Sequence, residues 1–418
     1  MIKVLWFSNT AATGIEYLAK DLKVKGTGGW MNSLNNALKS EVDLTVAFHY
    51  PYKKNKFEYK NTKYYPIYNG NIYLQLIKKR FSIINTDYKY LKCYLSIIKE
   101  VQPDIIHIHG TENNFLTILK HINIPVLVSI QGNLTVYNHK YFSGFNGRFL
   151  RKIKFESLND FILGFKSFKK DKQLFVKRAK FEERHMKNIQ HVIGRTGWDF
   201  RITRVLSPNS IYYHGDEILR EAFYKYKWSN TYKSGKVIVF TTNGDSYYKG
   251  IETVFHSISL LKNLGIEIDW RIAGINQNSL IKSISESYLN QNFPTSGFTL
   301  LGSLNEDELS EELLRAHLYV MPSHIENSPN NLCEAMILGL PCIAAFAGGT
   351  GSILEDGVDG ILIQDGDPWC LSGAILELIN NPEKSNFFSK NARVKALIRH
   401  NKERVTEQYI KTYKSILN

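Results

Sequence analysis

The chain opens on the apolar run Val4-Leu5-Trp6-Phe7, which ends at polar Ser8-Asn9-Thr10. Such a run reads as a buried strand. A loop carrying Gly26, Gly28 and Gly29 follows, and the pattern turns helical over 30–38. Strand, glycine loop and helix in that order open an α/β domain. The same pattern predicts strands over 44–48, 105–108, 126–130 and 191–193, with helices over 88–101 and 113–120 between them.

From Val237 the alternation is cleaner. A strand over 237–240 leads to an amphipathic helix over 251–264, with Val254, Phe255, Ile258 and Leu261 on one side, and to a strand over 270–273 closed by Gly274. Asn305 with Glu308 three residues on has the form of a capping box, and a strand over 318–321 stops at Pro322. The expected fold class is therefore α/β, with two Rossmann-like, doubly wound domains. The 418 residues exceed what one core supports. The expected divisions are 1–205 with an insertion near 140–187, a linker over 206–234, a second domain over 235–395, and a C-terminal helix over 396–418 that crosses back. Ligands of open α/β sheets bind at the carboxyl ends of the strands, so two domains facing across a cleft would place the site there.

Composition adds little to this frame, but charge does. Hydrophobic residues at 43% and charged residues at 22% are ordinary for a globular protein. Cys93, Cys333, Cys342 and Cys370 have neither the pairing of a disulfide framework nor metal-ligand spacing. No stretch has the 18 or so apolar residues of a membrane span, and the opening strand is too short for a signal peptide, so a cytoplasmic protein is expected. The net charge of +14 calls for an anionic neighbour.

The segment from Pro322 to Met336 carries the chemistry. Ser328-Pro329 has the form of an N-cap and first helical residue, which would turn the backbone N–H groups near Asn330, Asn331 and Leu332 outward. A helix N-terminus facing a cleft binds anions, and a diphosphate is the natural candidate. Glu326 precedes that helix and Glu334 lies inside it, so two carboxylates suited to hydroxyl groups flank the anion site.

These residues resemble the retaining glycosyltransferase family 4, whose fold is GT-B. Its E-x7-E motif matches Glu326 and Glu334, with Pro329-Asn330 inside it and Gly339-Leu340-Pro341 and Gly348-Gly349 following in the family's order. The resemblance implies that Glu326 contacts donor-sugar hydroxyls and Glu334 the nucleotide ribose. Lys249-Gly250 matches the pair that holds the donor diphosphate, while Asn243 stands where the family usually has arginine, so the diphosphate clamp is either weaker here or borrows Arg195 from the first domain. His109, ending Ile105-Ile106-His107-Ile108-His109, matches a histidine near the reacting centre, with His107 on the same strand face and His109 exposed at the strand end. Gly28-Gly29-Trp30 resembles the glycine loop beside donor and acceptor.

The implied activity is transfer of a sugar from a UDP- or GDP-linked donor to a glycan or lipid-linked acceptor in surface polysaccharide synthesis, with no cofactor and no metal. Asp365-Gly366-Asp367 reads as a turn and cap. Between Arg148 and Lys187, basic residues interleaved with Phe149, Phe155, Phe161, Phe165, Phe168 and Phe175 suggest contact with anionic lipid at the inner membrane face, and no motif suggests nucleic acid. The alternatives are a non-catalytic nucleotide-sugar scaffold and an epimerase of the same fold.

Overall fold

A computed structural model describes residues 1–19, 29–70, 90–152, 168–229 and 235–418. The chain divides into two compact units: Met1–Asn138 with Ile153–Ile218 and His400–Asn418, and His139–Lys152 with Leu219–Arg399. Gly28, Phe155, Phe161 and Phe165 lie outside the described residues.

The first unit holds an eight-stranded sheet of β1 (Lys3–Ser8), β2 (Asp43–Tyr50), β3 (Phe57–Tyr59), β4 (Thr62–Tyr68), β5 (Ile105–His109), β6 (Val126–Ser129), β7 (His191–Gly194) and β8 (Ile211–His214). Its order is β3-β4-β2-β1-β5-β6-β7-β8, parallel except for the β3–β4 hairpin. β1 sits between β2 and β5, with Trp6 opposite Val46 on one side and His107 on the other. Successive residues of β1 serve opposite faces. Val4 and Trp6 join Leu34, Val46 and Tyr413 in one core, while Leu5 and Phe7 join Tyr94, Ile108 and Phe115 in the other. The helix Lys402–Leu417 buries Val405, Tyr409 and Tyr413 in the first of these, and the Trp6 indole N–H donates to the Tyr413 hydroxyl at 3.2 Å.

The second unit holds six parallel strands, β9 (Val237–Thr242), β10 (Ile268–Ala273), β11 (Phe298–Gly302), β12 (Leu318–Met321), β13 (Cys342–Ala345) and β14 (Ile361–Ile363), in the order β11-β10-β9-β12-β13-β14. The strand order reverses between β9 and β12, and the crevice beyond that reversal is where doubly wound sheets take ligands. All four residues of β12 and of β13 are buried, as strands covered on both faces must be.

Several local expectations change. Residues 211–214, placed in the linker, form β8, whose pattern of exposed and half-buried side chains gives no strong periodicity. Asn114–Lys120 is a 3-10 helix. The stretch over 140–187 is divided between the two units. His139–Lys152 belongs with the second unit, where Phe149 packs on Tyr288 with ring centroids 5.0 Å apart. The helix Phe168–Met186 belongs with the first unit and buries Phe175, Ala179, Glu182 and Met186 at helical spacing. Phe175, expected against lipid, is therefore core, and Phe149 is half-buried. Among the described residues no helix is long and apolar enough to cross a membrane.

Candidate active site

In the second unit the loops leaving β9 and β12 meet. Asn243 follows β9, donates its side-chain amide to the Lys249 carbonyl at 3.1 Å, and accepts nothing at its own buried amide oxygen among the described residues. Gly274 packs against the Asn243 carbonyl so closely that a Cβ there would collide with it, and its φ of 95° is one glycine adopts freely. Gly250, at φ 68°, packs in the same way against the Pro322 carbonyl and starts the helix Ile251–Asn263. These close approaches fix the backbone on either side of Lys249.

The Lys249 ammonium then reaches Glu326 Oε1 at 2.6 Å, with both side chains largely buried. Burial by itself would lower the Lys249 pKa, but the Glu326 carboxylate and the Tyr248 hydroxyl outweigh it and hold the amine above its ordinary value. The amine stays charged through the neutral range. Glu326 is held from behind, its carbonyl accepting from the Gly349 N–H at 2.9 Å.

The helix after Glu326 runs Asn330–Leu338, with Pro329 itself as the cap. Ser328 is therefore not the N-cap. The Pro329 carbonyl takes the first intrahelical bonds, from Leu332 N–H at 3.1 Å and Cys333 N–H at 3.2 Å, which assigns the cap position to proline. The N–H groups of Asn330 and Asn331 precede those bonds, and Asn331 ties the helix to β9 by donating to the Thr242 carbonyl at 3.3 Å. Leu332 is fully buried beneath them.

Glu334 lies one turn further in and is gripped by Arg220, whose Nε and Nη2 each donate to a separate carboxylate oxygen at 2.7 Å. Burial pushes the Glu334 carboxyl up and Arg220 pulls it back. Sequence reasoning missed Arg220, because it stands 114 positions from its partner and no local pattern marks it.

It also missed His324. This buried ring meets Glu252 at 2.7 Å through Nε2 and Asp365 at 3.3 Å through Nδ1, and Asp365 also faces Lys140 at 3.4 Å. Burial disfavours the imidazolium, yet the two carboxylates raise His324 to about 9. A histidine raised on folding stabilises fully below its unfolded value, and the contribution fades as pH rises through the folded value. Wild type should therefore exceed His324→Gln by on the order of 3 kcal/mol below about pH 6.5 and by much less above pH 9. Urea unfolding across that range measures the difference, and a gap that does not change with pH would refute the charged histidine. Asp367 caps the next helix by accepting from Cys370 N–H at 2.9 Å.

The remaining expected residues lie in the first unit. Gly29, at φ 53°, starts the helix Trp30–Leu38. Arg195 is buried, with Nε 3.5 Å from Glu217 Oε2 and its guanidinium 4.2 Å from the Trp30 ring centroid. It is thus engaged within its own unit. His109 is not exposed at its strand end. Trp6 at 4.4 Å and Trp30 at 5.9 Å enclose it, so His107 and His109 are both fully buried. Burial, then the neighbouring His107 and Arg195, keeps His109 neutral.

Residues 223–395 match the family model described as glycosyl transferases group 1. The second unit carries a glycosyl transferases group 1 domain. Lys249, Glu326 and Glu334 all fall inside this group 1 domain. Over 145 residues the chain is 30% identical to an uncharacterised glycosyltransferase of Methanocaldococcus jannaschii, a stretch that is 35% of this chain and 39% of that relative's length. The chain thus spans well under half of that relative. Sucrose-phosphate synthase from Thermosynechococcus elongatus superposes with a TM-score of 0.72 at 14% identity, over 100% of this chain and 99% of the other. Anabaena HepE in complex with UDP and glucose superposes with a TM-score of 0.66 at 12% identity, over 99% and 100%. The fold is GT-B, with the group 1 domain as the second of two Rossmann-like units.

Proposed function

We propose that the protein is a retaining glycosyltransferase of family 4 that moves a hexose from a UDP- or GDP-linked donor to a glycan or lipid-linked acceptor in surface polysaccharide synthesis. The observation that carries this reading is the Lys249–Glu326 pair at 2.6 Å, set at the strand-order reversal of the group 1 domain and beside the start of the Asn330–Leu338 helix. HepE, of the same fold, binds UDP and glucose, which supports a uridine nucleotide.

In this reading the donor diphosphate lies against the Asn330 and Asn331 N–H groups and the Lys249 ammonium, both of which favour negative charge. Glu326 accepts from a hydroxyl of the donor sugar, and Glu334, oriented by Arg220, accepts from the ribose. The bond between the anomeric carbon and the phosphate oxygen breaks, and the acceptor hydroxyl bonds to that carbon on the same face. Its proton passes to the departing diphosphate. Charge grows on the leaving phosphate during this step, so Lys249 and the helix start stabilise the transition state more than the ground state. No step requires a metal ion.

A thermal-shift series with UDP, GDP and their sugars tests the site. A ligand at 100 times its Kd adds about 2.7 kcal/mol to the native state, which raises Tm by several degrees. A rise with one nucleoside diphosphate, absent in Lys249→Ala, is the expected result. No rise with any of them would overturn the proposal. Asn243 in the place of arginine favours the competing reading of a non-catalytic nucleotide-sugar binder, which binding without turnover would support.

A further inference from the structure

In the second unit the helices Ile251–Asn263 and Pro368–Asn380 lie side by side, with the Ser257 and Ser372 hydroxyl oxygens 2.7 Å apart, and a pocket of about 380 Å³ opens at their N-terminal ends. The volume is within the roughly 300–1,000 Å³ of small-molecule sites. Glu252 and His256 line it from the first helix, Trp369 from the second and Tyr288 from the helix Leu280–Leu289. The segment His139–Lys152 completes the rim with Lys140, Ser143 and Gly144. Among the described residues none of Lys249, Glu326, Asn330, Asn331 and Glu334 lines this pocket, so it is separate from the proposed donor site.

The charges of the lining are paired, with one atom left over. His324 links Glu252 to Asp365, and Lys140 faces Asp365, so two carboxylates meet an imidazolium and an ammonium. Gly144 packs directly on this cluster, where a Cβ would collide with His324 Nε2 and Glu252 Oε1. Glu252 is 5% exposed, and its Oε1 accepts from His324 at 2.7 Å and from the Thr253 hydroxyl at 3.1 Å. Its Oε2 has no protein partner among the described residues. Buried polar groups in native proteins are almost always hydrogen-bonded, so this oxygen calls for a donor from outside the chain. At the rim Trp369 is 65% exposed, its ring edge-on to His256 with centroids 5.0 Å apart. Tryptophan is highly buried on average, and here a flat apolar indole stands open beside a polar pocket.

We propose that this pocket holds one ring of a neutral glycan, seated on the Trp369 indole, as an anchor apart from the transfer site. A pyranose offers its C–H face to the indole and hydroxyl groups at its edge. One hydroxyl donates to Glu252 Oε2, and others reach the Ser143 hydroxyl and the Asp365 carboxylate that line the same pocket. A cationic ligand would gain from the indole face but would meet the His324 imidazolium and the Lys140 ammonium. An anionic ligand would meet the unpartnered Glu252 oxygen. The ligand class stands on this lining. A role for the anchor in keeping a growing polymer at the enzyme rests on the transfer reading.

The test titrates the full chain, without nucleotide, with cellotetraose, maltotetraose and the tetramer of N-acetylglucosamine, read by isothermal calorimetry and by acrylamide quenching of tryptophan fluorescence. Of the six tryptophans only Trp369 is exposed, so a ligand seated on it should lower the quenching. At least one tetrasaccharide should bind, about ten-fold or more weakly in Trp369→Ala and in Glu252→Gln, with part of the loss restored in Trp369→Phe. Trp369 lies at the surface, so its variants keep the test valid if Glu252→Gln fails to fold. The Tm rise given by a nucleoside diphosphate should be the same in Trp369→Ala as in wild type. No binding tighter than roughly 10 mM by any of the three, or binding unchanged in Trp369→Ala, overturns the proposal. So does retention on phosphatidylcholine vesicles that Trp369→Ala abolishes in a protein that binds none of the three, since the indole would then serve a lipid surface. Glycan binding in a protein that gives no nucleotide thermal shift would sink the transfer reading and leave this site standing.

Discussion

Lys249→Ala lowers donor-dependent transfer by about 10²–10³-fold, the usual cost of removing one group that stabilises charge growing in a transition state. The loss falls on kcat because the ammonium acts most strongly on the departing diphosphate. The substitution also leaves Glu326 largely buried without its cation, and breaking a buried pair from one side costs on the order of 3 kcal/mol. Activity loss could then be mistaken for unfolding. The double variant Lys249→Ala with Glu326→Gln separates the two effects, since it removes the orphaned charge. It should recover most of the lost Tm and none of the activity. Steady-state transfer assays and thermal unfolding of the same preparations measure both. Recovery of transfer in the double variant would show that Lys249 matters only as a counter-ion for Glu326.

Arg220→Ala is expected to destabilise the second unit by about 3–5 kcal/mol at pH 8, because it strands the buried Glu334 carboxylate. The loss should shrink on acidification. Burial already lifts Glu334 above its ordinary value while Arg220 opposes the rise, so removing Arg220 lets the folded pKa climb further. Between the unfolded and folded values the native state then binds more protons than the unfolded state, so stability falls as pH rises. Urea unfolding at pH 5 and pH 8 checks the sign. Equal losses at the two pH values would mean that Arg220 works by packing on Phe223, 4.8 Å from its guanidinium, and not by charge.

Much of the second unit was legible because its strands are short apolar runs closed by Gly or Pro. Gly274 and Pro322 mark the ends of β10 and β12, and both are needed there, one for a left-handed backbone pressed on Asn243 and one to stop the ladder. The first unit was less legible. β4 and β8 alternate weakly, since Lys63 and Tyr68 of β4 and Ile211 and His214 of β8 are exposed. The basic helix Phe168–Met186 looked like a surface element because its charges dominate the count, although Phe175, Ala179, Glu182 and Met186 turn one stripe inward.

The sequence by itself determined the α/β class and the alternation of strands and helices, because periodicity and turn chemistry are local properties of the chain. It also singled out Lys249, Glu326 and Glu334, which fall within the residues that match the group 1 model. Only the tertiary structure decided their partners. Arg220 reaches Glu334 across 114 positions and Lys249 reaches Glu326 across 77. His109 is buried by Trp6 and Trp30, and Glu112 meets Asn9 beyond a strand-order reversal. Charge pairing and burial depend on which strands become neighbours, and that order is set by packing of the whole sheet, not by any window of sequence.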